Sequence, residues 1–498
     1  MKALVVWVVL MAMVSNPGCV NKESDVVLFP VADDPTVCFR VLFNVGSQND
    51  PPGKEGLAAL TATLIAEGST MKHSYEEVLA LLYPMAGDIN EHVDKEMTVF
   101  IGRTHKDNLE AYYTLLREVI LEPAFTEEDF ARVKNDYLNY VRTTLRYSQD
   151  EELGKEALYE FVFDGTPYEH NEEGYIKSLS AIEADDVRQF YRAHYTRENL
   201  VVGLGGGFDE TFATRVKADF AALKAGASSQ VPSPRPREIE GLEVKIIEKD
   251  VQSTAVSFGF PIGVKRGDRD FYALAVATSW LGEHRNSISH LYQVIREARG
   301  LNYGDYAYTE HFPQGHAANF PPPNVARRQQ IFQVWIRPVP NEARVFALRA
   351  ALRELERLIV NGMSEADFEL TKNFLKGYIL HYAPTTTAKL GYALDDRFYG
   401  IERGHWVMFS EMLDGLTREE VNAALKKHLS FENMKVVFIT PDGEGLKNAL
   451  VADAPSPITY ASEKPAEVLE EDKEISVYPL RVRPENVTIV KVDEVFEE

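Results

Sequence analysis

Ile182-Glu183-Ala184-Asp185-Asp186-Val187 leads through Phe190-Tyr191-Arg192-Ala193-His194-Tyr195 to Glu198-Asn199-Leu200-Val201-Val202. The same order returns at Leu416-Thr417-Arg418-Glu419-Glu420-Val421, Lys427-His428-Leu429 and Glu432-Asn433-Met434-Lys435-Val436-Val437. At one constant offset Val187 meets Val421, His194 meets His428, and Glu198-Asn199 meets Glu432-Asn433. A second pair of blocks keeps nearly that offset: Thr126-Glu127-Glu128-Asp129-Phe130 with Lys134-Asn135, against Ser364-Glu365-Ala366-Asp367-Phe368 with Lys372-Asn373. Two blocks in one order argue duplication. In each, a cap region with acids in the first turn opens a helix, and the first block runs on into a β-branched strand.

Between the two copies lies Ala225-Gly226-Ala227-Ser228-Ser229-Gln230-Val231-Pro232-Ser233-Pro234-Arg235-Pro236, rich in residues that punctuate structure and poor in core formers. It reads as a linker, 225–241, joining an N-terminal half, 25–224, to a C-terminal half, 242–450. Strands expected at 245–248 and 253–260 and a helix at 345–360 make the class α+β, each half an antiparallel sheet with packed helices. The remainder, 451–498, turns acidic and proline-containing. Within it 487–492 alternates like one more strand, and this extension is expected to pack on the second half.

The 498 residues are 45% hydrophobic and 26% charged, enough for several cores. Acidic residues number 76 against 53 basic ones, a net charge of -23, so the surface repels phosphate backbones and no nucleic-acid partner is expected. Two cysteines, Cys19 and Cys38, are too few for a disulfide framework or a thiolate zinc ribbon. Lys2, the apolar run 3–14 and Ser15-Asn16-Pro17-Gly18-Cys19 have signal-peptide proportions over 1–18, too short to span a bilayer. This start resembles a bacterial lipoprotein signal, which implies an acylated Cys19 as the sole membrane contact and a periplasmic, envelope-anchored location. Cys38, in Thr36-Val37-Cys38-Phe39-Arg40-Val41-Leu42-Phe43, reads as a small buried residue of a strand.

Asn44-Val45-Gly46-Ser47-Gln48-Asn49-Asp50-Pro51-Pro52-Gly53-Lys54-Glu55-Gly56-Leu57-Ala58, followed by Glu67-Gly68-Ser69-Thr70, resembles the opening of the pitrilysin/insulinase family of zinc peptidases. In that family a strand and a Gly-containing turn lead into the helix that carries an inverted His-x-x-Glu-His motif. Further segments fall in family order: Pro167-Tyr168-Glu169-His170, the 178–202 block, the linker, and 295–303. The resemblance implies two tandem halves forming a clamshell. Here the motif is gone: family register places its first His at Ala59, its Glu at Ala62, its second His at Thr63, and its remote third ligand, a Glu, at Asn139 or Tyr140. A catalytic zinc needs three protein ligands and a carboxylate base for its water, and two methyl groups with a hydroxyl supply neither. No metal ligand and no cofactor are therefore expected in this chain, and 56–65 reads as a small-residue helix buried against the sheet.

Two other clusters invite and fail a chemical reading. His92, Asp94 and Glu96 alternate along 89–101, but neighbours on a strand face lie roughly 7 Å apart, too spread for one ion, so a solvated face is expected. Gly203-Leu204-Gly205-Gly206-Gly207 lacks the spacing of a dinucleotide fingerprint and reads as a flexible turn.

One constellation survives. Residues 287–299 are helical by pattern, Gly300 is suited to end them, and 301–308 reads as a strand. By pattern alone an Arg on that helix and a Tyr opening that strand are structural. Ile295-Arg296-Glu297-Ala298-Arg299-Gly300-Leu301-Asn302-Tyr303, however, resembles the family segment in which an Arg and a Tyr face the zinc site across a central cavity. The resemblance implies catalytic roles for Arg296 and Tyr303, a permanent cation and a phenolic donor that hold substrate and stabilise an oxyanion. A chain without the metal site and with this pair resembles the non-metal subunit of a two-chain peptidase. Its expected partners are a peptide substrate and a zinc-bearing homologous subunit that carries the metal. The alternative is a catalytically inactive peptide-binding or scaffold protein of the same fold, taking extended peptides by strand addition. An independent zinc peptidase ranks third.

Overall fold

The computed structural model of the chain describes residues 25–312 and 320–498. The expected signal and Cys19 lie outside the described residues. In the first half β1 (Asp25–Pro30), β2 (Thr36–Phe43), β3 (Asp88–Val93), β4 (Thr98–His105) and β5 (Leu200–Gly206) form a sheet in the order β1-β5-β2-β4-β3. In the second half β6 (Leu242–Glu248), β7 (Ser253–Ile262), β8 (Asp305–Tyr308), β9 (Gln330–Pro340), β10 (Met434–Thr440) and β11 (Val487–Lys491) stand in the order β11-β6-β10-β7-β9-β8. Without β11 the two orders are the same permutation, and the parallel pair β1/β5 has its counterpart in β6/β10. The duplication read from two sequence blocks is a duplication of topology, and the α+β clamshell of two similar halves stands. Each sheet is antiparallel through its centre and parallel at that edge. Cys38 lies in β2 and is buried.

The halves exchange helices. Asp150–Phe163, from the first half, lies on β7 and β10 of the second sheet, while Thr386–Tyr399, from the second half, lies on β5, β1 and β2 of the first. Leu390 and Leu394 of the visiting helix pack with Cys38, Leu42 and Val201. This contact corrects the reading of the glycine run: β5 continues through Gly203 and Gly205 as a strand with no turn there. A Cβ at Gly203 would sit 2.8 Å from Leu394 Cδ1, and one at Gly205 3.3 Å from Thr386 Cγ2. Glycine is used here so that a helix can lie close on the strand.

Residues 89–101 form a hairpin where one strand was expected, the chain reversing between Val93 and Thr98. In that reversal Asp94, Lys95 and Glu96 are buried, which overturns the expected solvated face. The cause is a partner from the other half. Arg327, 1% exposed, grips Asp94 with Nε to Oδ1 at 2.6 Å and Nη2 to Oδ2 at 2.9 Å, and its Nη2 also reaches Glu172 Oε1 at 3.0 Å. Arg328 binds Glu96 through its backbone N–H at 2.6 Å and through its guanidinium. Lys95 pairs with Glu172 at 3.1 Å.

The C-terminal extension also joins the halves, where docking on the second half alone was expected. β11 pairs in parallel with β6, and beyond it Val492, Val495 and Phe496 enter the core of the first half. Ile176 and Lys177 donate backbone N–H groups to the carbonyls of Phe496 and Glu497, each at 3.0 Å, and Arg146 Nε donates to Val495 O at 2.7 Å.

Breaking a buried ion pair by removing one partner costs about 3–5 kcal/mol, because the other charge stays buried without compensation. Arg327→Met should lower the unfolding free energy by about that amount in urea titrations, and adding Asp94→Leu should recover part of the loss. An unchanged urea midpoint for Arg327→Met would mean that the clamp contributes nothing to stability.

Candidate functional site

The helix Leu57–Ala66 is buried along its whole length, and its start is held from outside the helix. Asp50 accepts from the backbone N–H groups of Gly56 and Ala58, each at 2.7 Å, and is itself gripped by His170 Nε2 at 3.1 Å. Gly56 takes φ of 97°, a left-handed turn that suits glycine. One face of this helix, with Ala59 and Thr63, opens on a cavity of about 520 Å³.

Tyr140, one of the two residues that family register offers for the remote ligand, lines the same cavity. It opens a π-helical stretch, Tyr140–Ser148, that continues the helix Glu127–Asn139. Tyr137 donates to Thr63 Oγ1, which in turn donates to Glu91 Oε1, both at 2.8 Å. The hydroxyl thus ties the helix to β3 in the place where a ligand would stand. From the second half, His311, Pro322, Pro323 and Arg327 complete the wall.

The residues present do not fit a catalytic zinc. The helix face offers methyl groups and a hydroxyl, and the third position falls on Asn139 or Tyr140, neither of them an acid. Among the described residues no group of three or more His, Cys, Asp or Glu side chains could hold a metal ion.

The wall is acidic, and its acids differ in state. Burial opposes ionisation of Glu172, but Lys95 and Arg327 hold it at about 2. Burial, and then the charge of Glu172, raise Glu173 to about 7. Burial, and then the charges of Glu172 and Glu173, push Glu156 well above the usual carboxylate range. Burial lowers His92, and burial with Arg327 and Lys95 lowers His311 further, so both imidazoles are neutral. Sequence reasoning missed this acid wall. Its only signals were the adjacent pairs Glu172-Glu173 and Arg327-Arg328, which look like ordinary surface charge until the halves are brought together.

Arg296 and Tyr303 lie elsewhere. Neither lines this cavity. The helix expected at 287–299 shrinks to a π-helical turn, Tyr292–Glu297, and the strand expected from 301 begins only at Asp305. Arg296 pairs with Glu297 and stacks over the Tyr292 ring at 5.0 Å. Tyr303 is 77% exposed and borders a shallow pocket with Ser253, Arg337 and Glu342. No direct contact joins the two among the described residues.

The model described as "Insulinase (Peptidase family M16)" matches residues 26–171, and the one described as "Peptidase M16 inactive domain" matches 181–375. The chain belongs to the M16, or insulinase, peptidase family. An uncharacterized zinc protease of Bacillus subtilis is 22% identical to this M16 chain over 413 residues, 82% of this chain and 94% of that protein. One of Streptomyces coelicolor is 27% identical over 282 residues, 55% of this chain and only 60% of that protein. Among solved structures, a peptidase M16 inactive domain from Pseudomonas fluorescens superposes with a TM-score of 0.73 at 23% identity, covering 84% of this chain and 96% of that one. A protease from Helicobacter pylori gives 0.71 at 18% identity, covering 84% and 98%. These likenesses establish the fold.

Elemental analysis of the purified M16 chain should find far less than one zinc per molecule. Stoichiometric zinc would overturn the reading of the helix face. Glu173 supplies a pH test. A carboxyl raised from 4.5 to about 7 holds its proton more tightly in the folded chain. It therefore adds stability below pH 4.5 and loses that contribution as pH rises through about 7. Glu173→Gln should flatten this part of the curve of melting temperature against pH.

Proposed function

We propose that the chain is the non-metal subunit of a two-chain M16 peptidase, binding peptide and helping to stabilise the transition state for a zinc-bearing homologous partner. The observation that carries this reading is an altered metal face in an otherwise intact fold. Ala59, Ala62, Thr63 and either Asn139 or Tyr140 stand at the ligand and base positions, while Arg296 and Tyr303 remain. The match of the 181–375 region to a domain described as inactive supports it. Tyr303, exposed to solvent, is accessible to a second chain, and a phenol with a guanidinium has the chemistry an oxyanion needs. Zinc in this reading belongs to the partner.

A second reading has its own support. β3 is an edge strand of the first sheet, and its Glu91 and His92 border the cavity. An extended peptide can add to such an edge as a further strand, which gives binding without turnover.

Losing one donor to a developing oxyanion costs on the order of 3–4 kcal/mol, roughly a hundred- to thousandfold in rate. With a zinc-bearing M16 homologue from the same genome, Arg296→Ala and Tyr303→Phe should lower kcat by that factor and leave co-purification intact. Altered peptide affinity with no turnover in any variant would favour the strand-addition reading. Full turnover in both variants would falsify the role of the pair.

A further inference from the structure

An exposed side chain keeps one direction only when the backbone beneath it is fixed by buried neighbours. Arg296 and Tyr303 both reach solvent. Between them stands Arg299, which is only 3% exposed, and a guanidinium so deeply placed has to be fully engaged. Its contacts run in two directions. Nη1 donates to the carbonyl of Val294 at 2.8 Å, inside the π-helical turn Tyr292–Glu297 that carries Arg296. The rest of the fork turns away from that segment and meets the C-terminal extension: Nε donates to Asp472 Oδ1 and Nη2 to Glu471 Oε2, each at 2.8 Å.

Both acids lie on the helix Ala466–Ser476, and this helix is itself well seated. It packs on the helix Arg344–Asn361, places Ile475 in the core of the second half, and receives Arg353 Nη1 on Glu471 Oε1 at 3.0 Å. Just ahead of it, Lys464 Nζ donates to the carbonyl of Ala298 at 2.9 Å. The extension thus holds the turn at one carbonyl directly and at another through Arg299. A plain staple between the extension and the second half would need neither bond. Tyr303 is held differently, by Asn302, whose Nδ2 donates to Asp305 Oδ1 in β8 at 2.7 Å and to the carbonyl of Arg337 in β9 at 3.2 Å.

We infer that Arg299 is a positioning residue for Arg296, and that the C-terminal extension, through Glu471, Asp472 and Lys464, sets the turn on which Arg296 is presented. For its effect on turnover this rests on the subunit reading, while the geometry belongs to the chain alone. The two family matches cover 26–171 and 181–375, so the anchor comes from a part of the chain that neither includes.

Two variants test it. Arg299→Lys keeps a cation for the two acids and gives up the planar fork that also reaches Val294. Lys464→Met removes the bond to Ala298, leaves the buried ion pairs intact, and serves should Arg299→Lys fail to fold. Hydrogen exchange on the full chain should run roughly tenfold faster over 292–300 in each variant, with β7 and β9 protected as in wild type. Unchanged exchange over 292–300 in both, or protection lost evenly across the second half, would overturn the inference. With the zinc-bearing homologue, each variant should lower kcat about tenfold at unchanged KM. The fall should vanish in an Arg296→Ala background and persist in a Tyr303→Phe background, because the extension acts through Arg296. An equal fall in both backgrounds makes Arg299 merely structural and overturns the assignment. If Arg296→Ala alone leaves turnover untouched, the subunit reading fails, and the exchange result by itself decides whether the extension sets the turn.

Discussion

Arg327 is a second-half cation whose acidic partners lie in the first half, and the closed arrangement of the chain depends on it. A guanidinium cannot shed its proton to escape burial, so acids have to meet it. Asp94 does so with both oxygens and Glu172 with one. The exchanged helices bring apolar surface between the halves, but apolar surfaces tolerate sliding. A two-pronged ion pair has one geometry, and it sets the register in which the hairpin turn, the 171–174 loop and the β8–β9 connection meet.

The same residue orders the charges around it. Lys95 and Arg327 keep Glu172 ionised, burial and then the negative charge of Glu172 raise its neighbours, and one wall holds acids that differ widely in how readily they ionise. The acidic surface of the chain as a whole has no part in this. A few buried positions decide it, and each takes its state from burial and from the charges beside it.

What the sequence made legible follows from what is local. The duplication could be read because capped helices and β-branched strands recur at fixed spacing, and the loss of the metal face could be read because Ala59, Ala62 and Thr63 are simply the wrong residues. What stayed hidden depended on the other half of the molecule. The glycines of β5 look like a turn until the helix Thr386–Tyr399 is laid over them. Asp94 and Glu96 look like a wet strand face until Arg327 and Arg328 arrive. Family register could name Arg296 and Tyr303, but it could not tell that the cavity beside Thr63 would be lined by other residues.

The C-terminal strap has a consequence for how the molecule is made. The carbonyl of Val495 is bound by Arg146, 349 residues earlier in the chain, and Phe496 fills a place in the core of the first half. On the ribosome that half emerges early and waits with an open seam until the strap is translated. Contacts of such long sequence separation close slowly, since a long loop has to be ordered before they form. The nascent first half therefore spends most of its synthesis with apolar surface uncovered. That interval is when it is most exposed to misfolding and to chaperones.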